Sequence, residues 1–312
     1  MGFARSQRGL AVTLLRGSVQ MNLVDRQRTP SYPPAEGLDR AEPPSPRAGG
    51  GARWRQRWGA LGGTTVTSVI LFFAAWELVV DLFHVPRYII PAPSAVFRQF
   101  VVHFPLIWKY TLVTGGETLV GFVIAVVIGI PLAVAVAFSK FLERTLYPSA
   151  VTLEMVPKIA FAPLFVTWFG FGFIPKMVIV FMVCFFPILL NGILAFRSLS
   201  PELIHFSRST GAGPWTMFWR VRLPASLPQM FVGLKGAATN ATVGAVVSEW
   251  IGGDAGLGYY LQVVSGELRT DISFAVIIML AALGLALFYV VTLAERRLIP
   301  WHVSQRVVHH RL

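Results

Sequence analysis

Residues 111–138 read TLVTGGETLVGFVIAVVIGIPLAVAVAF, with one charged side chain, Glu117. Crossing a bilayer takes about 20 mostly apolar residues. No water reaches the hydrocarbon core, so backbone N–H and C=O groups must bond within the segment, which makes it a helix. Five further runs meet the same test: TTVTSVILFFAAWELVVDLF at 64–83, then roughly 146–169, 174–196, 229–251 and 272–294. The expected fold class is an all-α membrane protein with six transmembrane helices. Composition agrees. Hydrophobic residues make up 54% of the 312 and charged residues 13%, where soluble domains carry about 25% charged. Mean hydropathy is +0.62.

The net charge of +12 is read here as topology. Six spans put both termini on one side. If that side is the cytoplasm, 21 of the 27 Lys and Arg residues lie inside. Arg87, Arg98, Lys109, Lys176 and Arg269 lie outside, and Lys158 falls within a span. Basic loops stay cytoplasmic, so the expected orientation is N-in and C-in, and the charge does not call for a nucleic-acid partner.

Three regions follow. Residues 1–60, rich in Arg, Pro and Gly, cannot bury enough apolar surface to fold and are expected to be a disordered cytoplasmic tail. The opening MGFARS fits a myristoylation pattern, but the spans anchor the chain without it. Residues 61–302 form the membrane domain, and 303–312 a short cytoplasmic tail. His302, His309 and His310 have no helical spacing that would make them ligands. The single cysteine, Cys184, excludes an internal disulfide and reads as a small buried hydrophobe.

Within the spans, charged side chains are costly, about 2.5–3.5 kcal/mol at the centre. Glu77 and Glu249 are expected near span ends, where they can reach the interface. Pro157 and Pro163 break the third span, and Glu154 and Lys158 can pair at i, i+4. Glu117 has no local partner. Glu117, Glu154, Lys158, Asn191 and Asn240 are the candidates for lining a solute path, with helix packing the alternative for each. Gly121, Gly129, Gly233 and Gly236 point to close helix packing. Between the first two spans, Val96, Phe100 and Phe104 share a helical face, which predicts a helix lying in the interface with Trp108 and Tyr110 as belt residues.

The stretch STGAGPWTMFWRVRLPASLPQM, Ser209–Met230, separates spans four and five. Gly211 and Gly213 end one helical segment, and Pro214 suits the first turn of the next. PWTMFWRV then forms a short helix with Trp215, Phe218 and Trp219 on one face, closed by LPASLP. Such a basic, aromatic knob suits either docking into a partner's groove or lying on lipid headgroups.

Gly211, nine residues, Val221, one residue, Leu223 and Pro224 match the cytoplasmic signature Glu-Ala-Ala, three residues, Gly, nine residues, Ile, one residue, Leu-Pro. Residues 60–302 resemble permeases of ABC importers, in the nitrate/sulfonate/taurine branch that also includes importers of pyrimidine and riboflavin precursors. PAPSAV at 91–96, VPKIAFAPLFVTWFGFG at 156–172, FFPILLNG at 185–192 and GLGYY at 256–260 carry the resemblance. His205, Phe206 and Ser207 stand where the signature has Glu-Ala-Ala. The resemblance implies a type I importer permease fold. It also implies an ATPase-coupling loop made of His205, Ser207, Gly211, Trp215, Trp219, Val221, Leu223 and Pro224. The implied partners are cytosolic ABC ATPase subunits, a second permease copy and an extracytoplasmic substrate-binding protein. The implied location is the bacterial inner membrane, and the cargo a small organic anion such as a sulfonate or a nitrogenous aromatic precursor.

No Gly-x-x-x-x-Gly-Lys-Ser/Thr, Gly-x-Ser-x-Gly or His-Glu-x-x-His motif occurs, so the chain is expected to be a transport subunit without an ATPase or hydrolase site. It should bind neither cofactor nor metal, with ATP hydrolysed by the partner. The rivals are a membrane enzyme, a scaffold and, foremost, an ion-driven secondary transporter, whose half-helices the broken third span would suit.

Overall fold

The computed structural model describes residues 50–301, with side chains from Val66 onward. The tails, the myristoylation pattern and the three C-terminal histidines lie outside the residues whose side chains are described.

The helices are α1 (Gly50–Leu82), α2 (Pro93–Phe138), α3 (Lys140–Met155), α4 (Ala162–Phe169), α5 (Phe173–Arg197), α6 (Pro201–Ser209), α7 (Pro214–Met217), α8 (Leu223–Gly252), α9 (Leu257–Gly266) and α10 (Thr270–Leu298). Among the described residues there is no strand. Four helical runs are long and apolar enough to cross a membrane: α2, α5, α10 and the run Pro214–Gly252. A fifth candidate is α3 with the segment Lys158–Phe169, bent by 82°. α1 covers the first predicted span but for its final residue.

The bend has a local cause. Pro157 disfavours the helical conformation at the residue before it. Val156 accordingly takes φ −70°, ψ 132° and ends α3. Pro163 does not break a helix as expected; it sits in the first turn of α4, where its missing N–H costs nothing.

α2 departs most from the sequence reading. Residues 93–110 are not a separate helix in the interface but the first turns of one 46-residue helix, about 69 Å long. Val96 and Ile107 are buried with Leu257, Tyr260, Val264 and Ile272, and Phe100 and Tyr110 pack against the same cluster. A partner face from α9 and α10 takes the place the headgroups were expected to fill. Glu77 of α1 accepts hydrogen bonds from the Ser94 amide and hydroxyl, placing a carboxylate on the positive N-terminus of α2.

Small residues let α2, α5 and α8 meet closely. A Cβ added at Gly121 would lie 2.7 Å from Val180 Cβ, at Gly233 2.5 Å from Asn191 Cβ, and at Gly129 3.0 Å from Ile188 Cγ2. Gly236 has no neighbour within 4 Å and plays no such part. Ala237, Ala238, Ala241 and Ala245 of α8 are fully buried beside Val180 and Cys184. Lipid is as apolar as leucine, so helices in a bilayer associate through this kind of close contact.

Candidate functional site

α8 joins two regions with the features of function. At its N-terminal end, Ser200 caps α6, its hydroxyl accepting from the Leu203 amide at 3.3 Å. Past Thr210 the chain reverses at Gly211, whose φ of +78° favours glycine. Gly213 is extended, φ −68° and ψ 165°, and precedes Pro214 at the start of α7, so it opens a helix rather than ending one.

LPASLP does not close the aromatic helix. Pro214–Gly252 runs on as one 39-residue helical stretch. Phe218–Arg222 form a widened π turn in which the Leu223 amide donates to the Phe218 carbonyl. A proline clashes with the carbonyl four residues before it. The wider turn places Pro224 in the first turn of α8 without ending the helix.

The expected aromatic face is split. Phe218 turns inward, its ring 5.5 Å from Phe138 and 6.2 Å from Phe196. The Arg222 guanidinium lies 4.8 Å from the Phe138 ring centroid. Trp215 stays 74% and Trp219 50% exposed, their rings edge to face at 5.7 Å. Phe206, which replaces the first alanine of the signature, is 69% exposed. Sequence reasoning assigned it no part. His205 is exposed, Ser207 is buried and donates to the Leu203 carbonyl at 2.8 Å, and Val221, Leu223 and Pro224 are half-buried. The segment thus offers Phe206, Trp215 and Trp219 on a backbone fixed by Gly211, Gly213 and the π turn.

At the other end of α8 lies a cluster of buried charge. Glu117 of α2 does have a partner, Lys176 of α5, at 3.0 Å; their side chains are 1% and 3% exposed. Lys176, counted above among the outside loop charges, is therefore inside the helix bundle. It also donates to the Ala255 carbonyl at 3.2 Å and faces Asp254 at 3.6 Å.

Glu249 does not reach for an interface either. It is fully buried and accepts from the Thr114 hydroxyl at 2.7 Å and from the Gly258 and Tyr259 amides. It thus caps the N-terminus of α9, favourable for an anion. Thr114 in turn accepts from the Leu257 amide at 2.8 Å. The GLGYY glycines follow from this arrangement. A Cβ at Gly256, where φ is +122°, would fall 2.1 Å from a Glu249 oxygen, and one at Gly258 2.7 Å from the Val246 carbonyl. On α9, outside the spans, burial holds the Tyr260 phenol above its usual range.

The other path candidates divide. Glu154 and Lys158 pair at 3.0 Å, and Lys158 also donates to the Glu154 carbonyl at 2.8 Å, a cation at the C-terminal end of α3. Asn191 donates to the Pro187 carbonyl of its own helix at 2.9 Å and packs on Gly233, which favours the packing role. Asn240 is exposed on α8. Nearby, a groove of about 650 Å³ runs between α8 and α10, walled by Thr242, Val243, Trp250, Leu280 and Gly284. An ion pair the sequence reading missed, Lys235–Glu295, ties α8 to α10. Among the described residues, no group of His, Cys, Asp and Glu could hold a metal.

Comparison with known proteins places this architecture. Residues 125–300 match the family described as binding-protein-dependent transport system inner membrane component. The chain is 34% identical over 252 residues to the riboflavin transport system permease protein RibX of Chloroflexus aurantiacus, covering 80% of this chain and 93% of that protein. It is 32% identical over 228 residues to a probable ABC transporter permease protein of Haemophilus influenzae, covering 73% and 93%. Among solved structures, the inward-facing MetNI methionine ABC transporter shares the fold, with a TM-score of 0.52 at 19% identity over 62% of this chain and 98% of that one. The chain belongs to the family of binding-protein-dependent inner membrane transport components. It is a permease subunit of an ABC transporter in the cytoplasmic membrane, without an ATPase site of its own, and it works with ATPase subunits and a substrate-binding protein. Membership decides against an ion-driven transporter, a membrane enzyme or a scaffold.

Proposed function

We propose that this permease spans the membrane six times with both ends in the cytoplasm, and that two copies pair around a shared path. The segment 205–224 of each inserts into a cleft on a cytosolic ATPase. ATP-driven closure of the ATPases then moves the permeases between inward-open and outward-open states, and an extracytoplasmic binding protein delivers the cargo. The observation that carries this reading is the exposure of Trp215 and Trp219 on a backbone set by Gly211 and the π turn, continuous with α8. Exposed aromatic anchors on a rigid support are what a partner's groove takes up, and the continuous helix passes a push at one end to the other.

The path itself favours a nitrogenous aromatic solute, the riboflavin or pyrimidine-precursor class, over a sulfonate or nitrate. Lys158, Lys176 and Lys235 each already have a carboxylate partner, so none of these three is free to hold an anion, and Lys109 and Lys140 are exposed. The riboflavin relative supports the same choice.

The test is co-purification. The chain is expressed with its ATPase, solubilised in detergent and captured, as wild type and as Gly211→Asp with Trp215→Ala. A stoichiometric ATPase band in the wild type, lost in the variant, is expected. An ATPase retained equally by both would move the docking surface elsewhere.

A further inference from the structure

Lys176 holds three acceptors on unequal terms. Its bond to Glu117 lies inside the bundle, with side-chain exposures of 3% and 1%. Parting that pair strands a buried charge. Asp254 is different: its side chain is 82% exposed. When it leaves Lys176 it moves into water that already solvates it, so the loss is small.

The backbone around Asp254 suits movement. Only four residues, 253–256, join α8 to α9, and both ends are pinned. The Gly253 amide donates to the Glu249 carbonyl at 2.8 Å, and α9 is capped by the Glu249 carboxylate. Between these anchors the loop is held down by the two contacts to Lys176, at Asp254 and at the Ala255 carbonyl.

We propose that Asp254 is a positioning residue, the releasable arm of a latch in which Lys176, fixed by Glu117, holds the 253–256 loop against the bundle. Release lifts the loop while Glu249 keeps α9 in place. The latch lies at the end of α8 remote from the exposed tryptophans, so a shift of that helix changes the distance from Lys176 to the loop. This is the end where, in the orientation proposed above, solute arrives. The latch rests on that orientation only for the naming of the side.

Hydrogen–deuterium exchange on the full-length chain in nanodiscs tests the latch without the ATPase, so its failure is separable from failure of the docking reading. Asp254→Asn should speed exchange in 254–256 by about two- to five-fold, the range for a partly exposed ion pair, and leave the Leu257 amide, which donates to Thr114, unchanged. The melting temperature should not move, and Asp254→Glu, which keeps the charge, should restore slow exchange. Unchanged exchange in Asp254→Asn overturns the latch. So does a lowered melting temperature with faster exchange throughout the chain, which would make Asp254 part of the fold instead of a releasable arm. Failure of Asp254→Glu to slow the loop overturns the role of charge.

Discussion

The two ends of α8 solve opposite problems. One end leaves large apolar rings in the open; the other hides charges where the protein is driest. Trp215 and Trp219 have half or more of their surface exposed, which a chain tolerates when the patch is to be covered by something else. Glu117, Lys176 and Glu249 are almost wholly buried, which a chain tolerates only when each charge is partnered. The contrast separates residues that serve an interface from residues that hold the bundle together, and substitutions should sort the same way.

The largest effect belongs to the buried end. Lys176→Met leaves Glu117 buried and unpaired, and should destabilise the chain by about 3–5 kcal/mol, seen as loss of monodisperse protein and a lower melting temperature in detergent. Adding Glu117→Met to the same chain should recover most of the loss, because well-packed apolar residues replace an ion pair with little penalty. A double variant as unstable as the single one would mean the cluster is not organised around this pair.

Glycines at the two ends sharpen the comparison. Gly256→Ala adds a Cβ against the Glu249 carboxylate at a φ of +122° and should cost about 2–3 kcal/mol in thermal unfolding. Gly211→Ala meets open space at φ +78° and should cost about 1 kcal/mol. Equal costs would show that backbone conformation alone, and not the carboxylate, sets the requirement.

Neighbouring aromatics at the docking end should split more finely. Phe218→Ala removes a ring packed on Phe138 and Phe196 and should lower stability by about 2–3 kcal/mol. Trp219→Ala should change stability by less than about 0.5 kcal/mol. It should nevertheless weaken ATPase binding about tenfold or more, in a titration of the solubilised permease.

Much of this was legible in the sequence, for reasons that also mark the limits. Span positions follow from composition, and α5 and α10 lie within a few residues of the expected runs. Pro157 announced the break in the third span, and Glu154 with Lys158, four residues apart, could be paired by counting. Lys176 could not be paired that way, since Glu117 is 59 residues away and Thr114 is 135 from Glu249. Such contacts exist only once helices are packed. The one trace they leave is the glycine spacing of GLGYY, dictated by the Glu249 carboxylate. Phe218 was misplaced for a geometric reason: it stands about 100° around the helix from Trp219, on the border of the face, where packing by Phe138 and Phe196 decides. The amphipathic pattern at 93–110 was real, but periodicity does not distinguish a lipid headgroup from the side of α9.

The most direct test of the account is labelling with a membrane-impermeant maleimide at single cysteines introduced by Trp215→Cys and Asp254→Cys. Cys184 is fully buried and can remain in place. The account predicts that, with the chain expressed without its ATPase, position 254 reacts in intact cells and position 215 reacts only in inverted vesicles, placing the two ends of α8 on opposite sides with the tryptophans in the cytoplasm. Reaction of both positions from the same side, or of 215 from outside, would contradict it.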